Sequence, residues 1–244
     1  MSNTELLERY MQPVLSGQRH ACRQIVLSAL DSGVEPKRLY RELVWPALER
    51  IDTLYRQDRI NLVEEQMATR ITRTIADHLQ TRLTRMVRHG RKLVITCASG
   101  EAEEVSAQMC ADLFEAEGWD VFYLGGGIPQ DEIASLVGQL QPDMLMIVGS
   151  KPTDVPGVRQ MIDHIRDINS CPTMNILVSG GVFNRAEELW KEVKADLFAE
   201  TANDALALAN TAEPRESEER VPGAPKKRRR RRRPPLLAQM ECEA

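Results

Sequence analysis

From Arg91 onward, short runs of β-branched and apolar residues alternate with amphipathic stretches, and this alternation constrains the fold more than any other feature. Lys92-Leu93-Val94-Ile95-Thr96-Cys97 predicts a first strand and residues 104–117 a helix ended by Gly118. The cycle repeats with a strand over 119–124, a helix over 130–140, a strand over 144–148, a helix over 158–169, a strand over 175–178, a helix over 185–194 and a short strand over 197–199. Strand, helix, strand in alternation implies a parallel sheet covered by helices on both faces. In such sheets ligands bind beyond the carboxyl ends of the strands, which places the loops at 99–103, 125–129, 149–152 and 179–183 on the binding edge. Residues 6–87 read differently. Apolar positions recur there at three and four spacings, with breaks at Ser16-Gly17, Asp31-Ser32-Gly33 and Gln57-Asp58. A helix over 21–30, one over 37–55 with Pro36 in its first turn, and a long helix from Leu62 capped by Asn61 predict a four-helix bundle. No internal repeat is present.

The 244 residues, 42% of them hydrophobic, are enough for a buried core in one or two domains. The net charge of −4 conceals an asymmetry: residues 211–244 carry ten Lys/Arg and six Asp/Glu, which leaves 22 basic and 30 acidic groups on the rest. The acidic body repels nucleic acid and anionic membranes, so affinity for either would have to come from the tail, where Lys226 to Arg233 form eight consecutive cations. With no apolar periodicity, the segment 211–244 is expected to be disordered. Five cysteines without a CxxC pair argue against a disulfide framework and a cysteine zinc site. With no transmembrane run and no signal-like opening, a cytoplasmic protein is expected. Phosphate-loop, H-E-x-x-H and catalytic-triad spacings are all missing from the sequence, and no independent catalytic activity is expected.

The loops carry the remaining information. In the helical part, Pro46 precedes the frame from Ile51 to Ala68, which holds Tyr55, Ile60, Glu65 and Gln66. After the first expected strand stands Gly100-Glu101-Ala102-Glu103-Glu104-Val105-Ser106; Gly125-Gly126-Gly127 follows the second, Ser150-Lys151-Pro152 the third and Gly180-Gly181 the fourth. On these motifs residues 10–205 resemble the cobalamin-binding family of corrinoid methyl carriers, methionine synthase and bacterial light or redox regulators. That family has I-G-x-x-W-x-x-G-x-I-x-x-x-x-E-H-x-A in a helical cap, then G-D-x-H-x-x-G, S-x-L and G-G in a Rossmann-like (flavodoxin-like) domain. The resemblance implies a cap domain over 1–88, a cobalamin-binding-like α/β domain over 89–210 and a polybasic tail over 211–244. It implies cobalamin as cofactor, with Tyr55 and Glu65 above the ring, Ser99, Gly100, Glu101 and Glu103 below it, Gly126 at the second loop, and Ser150, Gly180 and Gly181 along the nucleotide tail.

Three residues depart from the family pattern; Gln66 stands where the cap motif has histidine, and the other two fall in the α/β domain. Glu103 occupies the position of the family's cobalt-ligating histidine, and Glu101 that of the aspartate orienting it. A carboxylate is a harder, weaker partner for low-spin cobalt than imidazole, so the metal ligand stays unassigned, and three outcomes stay open: cobalamin with its own base on the metal, another planar cofactor such as haem, or no cofactor. His20, His78, His89 and His164 all fall outside the edge loops, and Cys97 is the nearest soft side chain. These residues lead to a cobalamin-binding sensor or regulator that signals to a protein partner, with a corrinoid methyl carrier of a methyltransferase system or a cofactor-free interaction module as alternatives. Assembly with a second copy, and binding of nucleic acid or an acidic surface through Lys226–Arg233, stay open at this level.

Overall fold

The structure, a computed structural model, describes residues 3–98 and 101–217. Helix α1 (Asn3–Leu15), α2 (Arg19–Asp31), the continuous rod α3 (Pro36–Leu39) through α4 (Trp45–Arg56), and α5 (Leu62–Gln80) make the expected bundle. The third rod is locally underwound. Tyr40–Val44 form a π turn in which the Trp45 N–H reaches back to the Tyr40 carbonyl. Pro46 explains it, because its nitrogen has no hydrogen to donate and its ring crowds the carbonyl four residues earlier.

Helix α5 begins at a reciprocal cap. Asn61 Oδ1 accepts from the amides of Val63 (2.9 Å) and Glu64 (3.0 Å), and Glu64 Oε2 accepts from the Asn61 amide (2.8 Å). Replacing Asn61 with Ala should cost about 1 kcal/mol of stability, read as a lower urea midpoint without loss of helical ellipticity at low denaturant.

The second half contains β1 (Lys92–Cys97), α6 (Glu101–Ala116), β2 (Asp120–Gly125), α7 (Gln130–Leu140), β3 (Met144–Val148), α8 (Val155–Ile168), β4 (Asn175–Ser179), α9 (Gly181–Arg185), α10 (Leu189–Glu192), β5 (Leu197–Ala199) and α11 (Ala202–Thr211). The five strands are all parallel in the order β2-β1-β3-β4-β5. Order reverses between β1 and β3, so the crevice beyond Cys97 and Val148 is the switch point. Alternation along β1 shows why the sheet is buried on both faces: Leu93, Ile95 and Cys97 pack against α6 and α11, whereas Val94 packs with α7 and α8 residues.

Helix α6 holds the two halves together. Ala107, Cys110 and Phe114 face the sheet, while Val105 and Met109 are buried in the core of the helical bundle. Polar contacts follow the bundle side of the same helix. Glu104 lies 3.5 Å from Arg73, Gln108 donates to Asp77 (2.6 Å), the Asp112 carboxyl lies 2.8 Å from the Tyr40 hydroxyl, and Glu117, just beyond the helix, pairs with Lys37.

Several boundaries differ from those expected. Helix α6 starts at Glu101 rather than 104, and the helix expected over 185–194 is two short ones separated by extended Ala186 and left-handed Glu188. Helix α11 has no counterpart in the sequence reading. Residues 212–217, expected to belong to a disordered tail, instead run along the amino ends of the strands: Asn175 donates to the Glu213 carbonyl (2.8 Å), and Arg215 pairs with Asp196 (3.2 Å). Those contacts offset the ordering entropy that composition alone would leave unopposed. The run Lys226–Arg233 lies outside the described residues. Among the described residues no helix is long and apolar enough to cross a membrane.

Candidate functional site

Three of the expected site residues converge. Ser150, just past β3, and Gly180 and Gly181, just past β4, line one small cavity of about 60 Å³ together with Ser106 and Asn184. The bundle closes its other side with Trp45, Leu48, Glu49 and Asp52 of α4. Gly180 has φ 107° and ψ 167°, a region essentially restricted to glycine, and a β-carbon on it would collide with the Gly149 backbone. The β3 and β4 ends approach that closely because no side chain separates them.

Arg185 links two of the residues that line this cavity. It donates to the Ser150 carbonyl and stands 3.7 Å from Asp52 of the bundle, and Asp52 also accepts from Arg56 at 2.9 Å. Burial, and next the charge of Arg56, pull the Arg185 guanidinium below its ordinary pKa, while Asp52 opposes them. Trp45, whose indole donates to Glu49 (2.9 Å), also borders an adjoining groove of about 420 Å³ between the bundle, α6 and the start of α11. Met109, Leu113 and Ala202 supply the apolar lining of that groove, and Arg41, Thr201, Asn203 and Asp204 its polar rim.

The other expected residues are placed elsewhere. Tyr55 sits in the last turn of α4, 39% exposed, three residues beyond Asp52. Glu65 is buried within the bundle, its carboxylate accepting from Gln66 (2.8 Å) and Thr69 (3.3 Å). The Gly126 amide donates to Glu104 Oε1 (3.2 Å), tying the β2 loop to the same carboxylate that meets Arg73. Glu101 and Glu103 stand in the first turn of α6, and Ser99 and Gly100 lie outside the described residues. Cys97 is buried in the core between sheet and α6. His89 packs edge-on against Trp119, and His164 meets Asp131 at 2.7 Å on the opposite helical layer. Sequence reasoning missed Trp45, Asp52 and Arg185. The Trp45-Pro46 break was their one local signal.

A two-layer site of this kind, a helical cap closing the carboxyl edge of a parallel sheet at its switch point, defines the class. Residues 91–209 match the family model described as the B12 binding domain, and residues 6–80 match a second model of the same description. The chain belongs to this cobalamin-binding family. It is 21% identical over 216 residues to monomethylamine corrinoid protein 2 of Methanosarcina mazei, covering 86% of this chain and 98% of the relative. With a corrinoid protein of Desulfitobacterium hafniense it shares 20% over 210 residues, 84% of this chain and 96% of the relative. The solved monomethylamine corrinoid protein of Methanosarcina barkeri superposes with a TM-score of 0.70 at 15% identity, over 85% of this chain and 98% of that one, and so has the same fold.

The family implies a corrinoid, and the residues present fit its parts unequally. The neutral edge of Ser106, Ser150, Gly180 and Gly181, opening on an aromatic-lined groove, suits a narrow arm bearing a base. A cavity of about 60 Å³ is far smaller than a macrocycle, so admitting the ring requires α4 to lift from the edge. Among the described residues no cluster of His, Cys, Asp and Glu has the makings of a metal site, so cobalt would be carried by its own macrocycle.

Proposed function

We propose that the chain is a corrinoid carrier that holds cobalamin between its helical cap and the sheet edge and presents it to a methyltransferase partner. The convergence of Ser150, Gly180 and Gly181 beneath α4 carries this reading. The names of the relatives, corrinoid proteins of methylamine systems among them, favour a carrier over the sensor that the sequence first suggested. The bound corrinoid would supply a cobalt centre able to accept and release a methyl group. Ser150 and the glycine pair would seat the nucleotide arm, and α4 would exclude water from above. Glu103 in place of histidine favours a form in which the cofactor's own base stays on the metal.

The test is retention of hydroxocobalamin through gel filtration by the full chain, followed by its absorption spectrum. Retained colour with the bands of the base-on cofactor is the expected result, and a colourless protein overturns the reading. In Glu103→His the visible bands should shift as imidazole competes for cobalt, with cofactor affinity rising about tenfold. An unchanged spectrum would remove Glu103 from beneath the metal.

A further inference from the structure

Of the side chains lining the sheet side of the small cavity, Ser106, Ser150, Gly180, Gly181 and Asn184 are uncharged. Arg185, which donates to the Ser150 carbonyl, places a cation beside that side, and among the described residues its counter-ion is not on the sheet side. It is Asp52 of the cap, which is shared with Arg56 one turn further along α4. Among the described residues the two halves also meet along α6, through buried Val105 and Met109 and the Asp112, Gln108 and Glu104 contacts. Lifting α4 enough to admit a macrocycle would separate Asp52 from Arg185. Asp52 keeps Arg56, at 2.9 Å on its own helix. Arg185 keeps only the Ser150 carbonyl and becomes a partly desolvated guanidinium without an anion, directly beside the Ser150 and Gly180-Gly181 backbone. A planar guanidinium in that position is matched to the paired oxygens of a phosphodiester.

We propose that Arg185 exchanges Asp52 for the phosphodiester of the nucleotide arm when the site loads, and so selects complete corrinoids over those lacking the arm. This rests on the carrier reading and names a residue that the family motifs do not include. The exchange makes and breaks ion pairs only, so the cap is held shut by the same cation that the cofactor recruits. Asp52 thereby acts as a placeholder anion.

The experiment is equilibrium dialysis of the full-length apoprotein against hydroxocobalamin and, in parallel, diaquacobinamide, which lacks the phosphate-bearing arm. Wild type should bind the cobalamin more tightly. Arg185→Gln should weaken cobalamin about tenfold or more, the effect of losing one charge-assisted contact, while cobinamide affinity moves less than about threefold. Arg185→Lys should recover part of the preference. Asp52→Asn, which frees Arg185 in advance, should tighten cobalamin severalfold. The cobinamide arm separates this role from a merely structural one, since damage to the fold would weaken both ligands alike. An Arg185→Gln variant with the wild-type ratio of affinities, or an Asp52→Asn variant with weaker cobalamin binding, overturns the assignment while leaving the carrier reading intact. A wild-type protein that takes up neither ligand overturns both.

Discussion

Replacing Asp112 with Asn is expected to stabilise the protein at alkaline pH and to leave it almost unchanged in acid. The Tyr40 hydroxyl lies 2.8 Å from two acceptors, the Ala76 carbonyl and Asp112 Oδ2. One hydroxyl carries one proton. Both contacts are satisfied together only when Tyr40 donates to Ala76 and Asp112, as the neutral acid, donates to Tyr40. The electrostatics agree: burial pushes the Asp112 carboxyl up to about 7, and the negative charges of Asp77 on α5 and Glu115 on α6 add to it, against the opposing hydrogen bonds of Tyr40 and Gln80. A carboxyl whose pKa is higher in the folded chain than in the unfolded one binds its proton more tightly when folded. Its contribution is fully present below about pH 4 and is lost as pH rises to about 7. Across that window the wild type should lose roughly 2 to 4 kcal/mol relative to Asp112→Asn, whose amide can donate to Tyr40 at any pH. Urea midpoints of the two proteins measured from pH 4 to 8 should therefore diverge steadily. Parallel curves would show that Asp112 is ionised throughout. Because Tyr40 belongs to the cap and Asp112 to α6, the same titration acts on a contact between the helical bundle and α6.

What could be read in advance follows the range of the forces involved. Strands β1, β3 and β5 and helix α7 were legible because composition and flanking turns agree locally, and Asn61 announced α5 because its cap is made within three residues. Helix α11 carries the same kind of signal, Thr201 with Asp204 in a capping box, but its small alanine-rich face gives weak periodicity. The helix expected over 185–194 fails for a tertiary reason: Val182 and Phe183 are drawn into the core before it, which starts a helical turn early and leaves Ala186 extended. Within the site, Ser150, Gly180 and Gly181 were legible since each directly follows a strand. Trp45, Asp52 and Arg185 were not, because they matter only through the meeting of α4 with the sheet edge, more than a hundred residues away in sequence. Asp112 looks like any exposed helical carboxylate until Tyr40 is placed over it.

Gly180→Ala is expected to be among the most damaging Gly→Ala changes at the described glycines. The added β-carbon would collide with the Gly149 carbonyl oxygen and lie 3.0 Å from both the carbonyl carbon and the amide nitrogen of that residue. Neither neighbour is a side chain that can swing away. Gly149 is fixed by its amide to the Ser179 carbonyl (3.0 Å), and Ser179 in turn donates to Ala199 (2.8 Å), so relief must come from parting β3 and β4 at their carboxyl ends. The backbone at φ 107° adds its own penalty. Together these should cost about 3 to 5 kcal/mol and displace Ser150 from the cavity, so the variant should also fail to retain cobalamin under conditions where it is still folded. Gly127→Ala is the control that separates the two causes. Gly127 also has positive φ, 76°, but a β-carbon there meets nothing within 4 Å, and the substitution should cost only about 1 to 2 kcal/mol. If urea denaturation gives the two variants equal losses, dihedral strain accounts for both and the strand ends are free to relax. A loss at Gly180 at least twice that at Gly127 locates the difference in the contact with Gly149, which brings the ends of β3 and β4 close enough for one arm of a ligand to touch both.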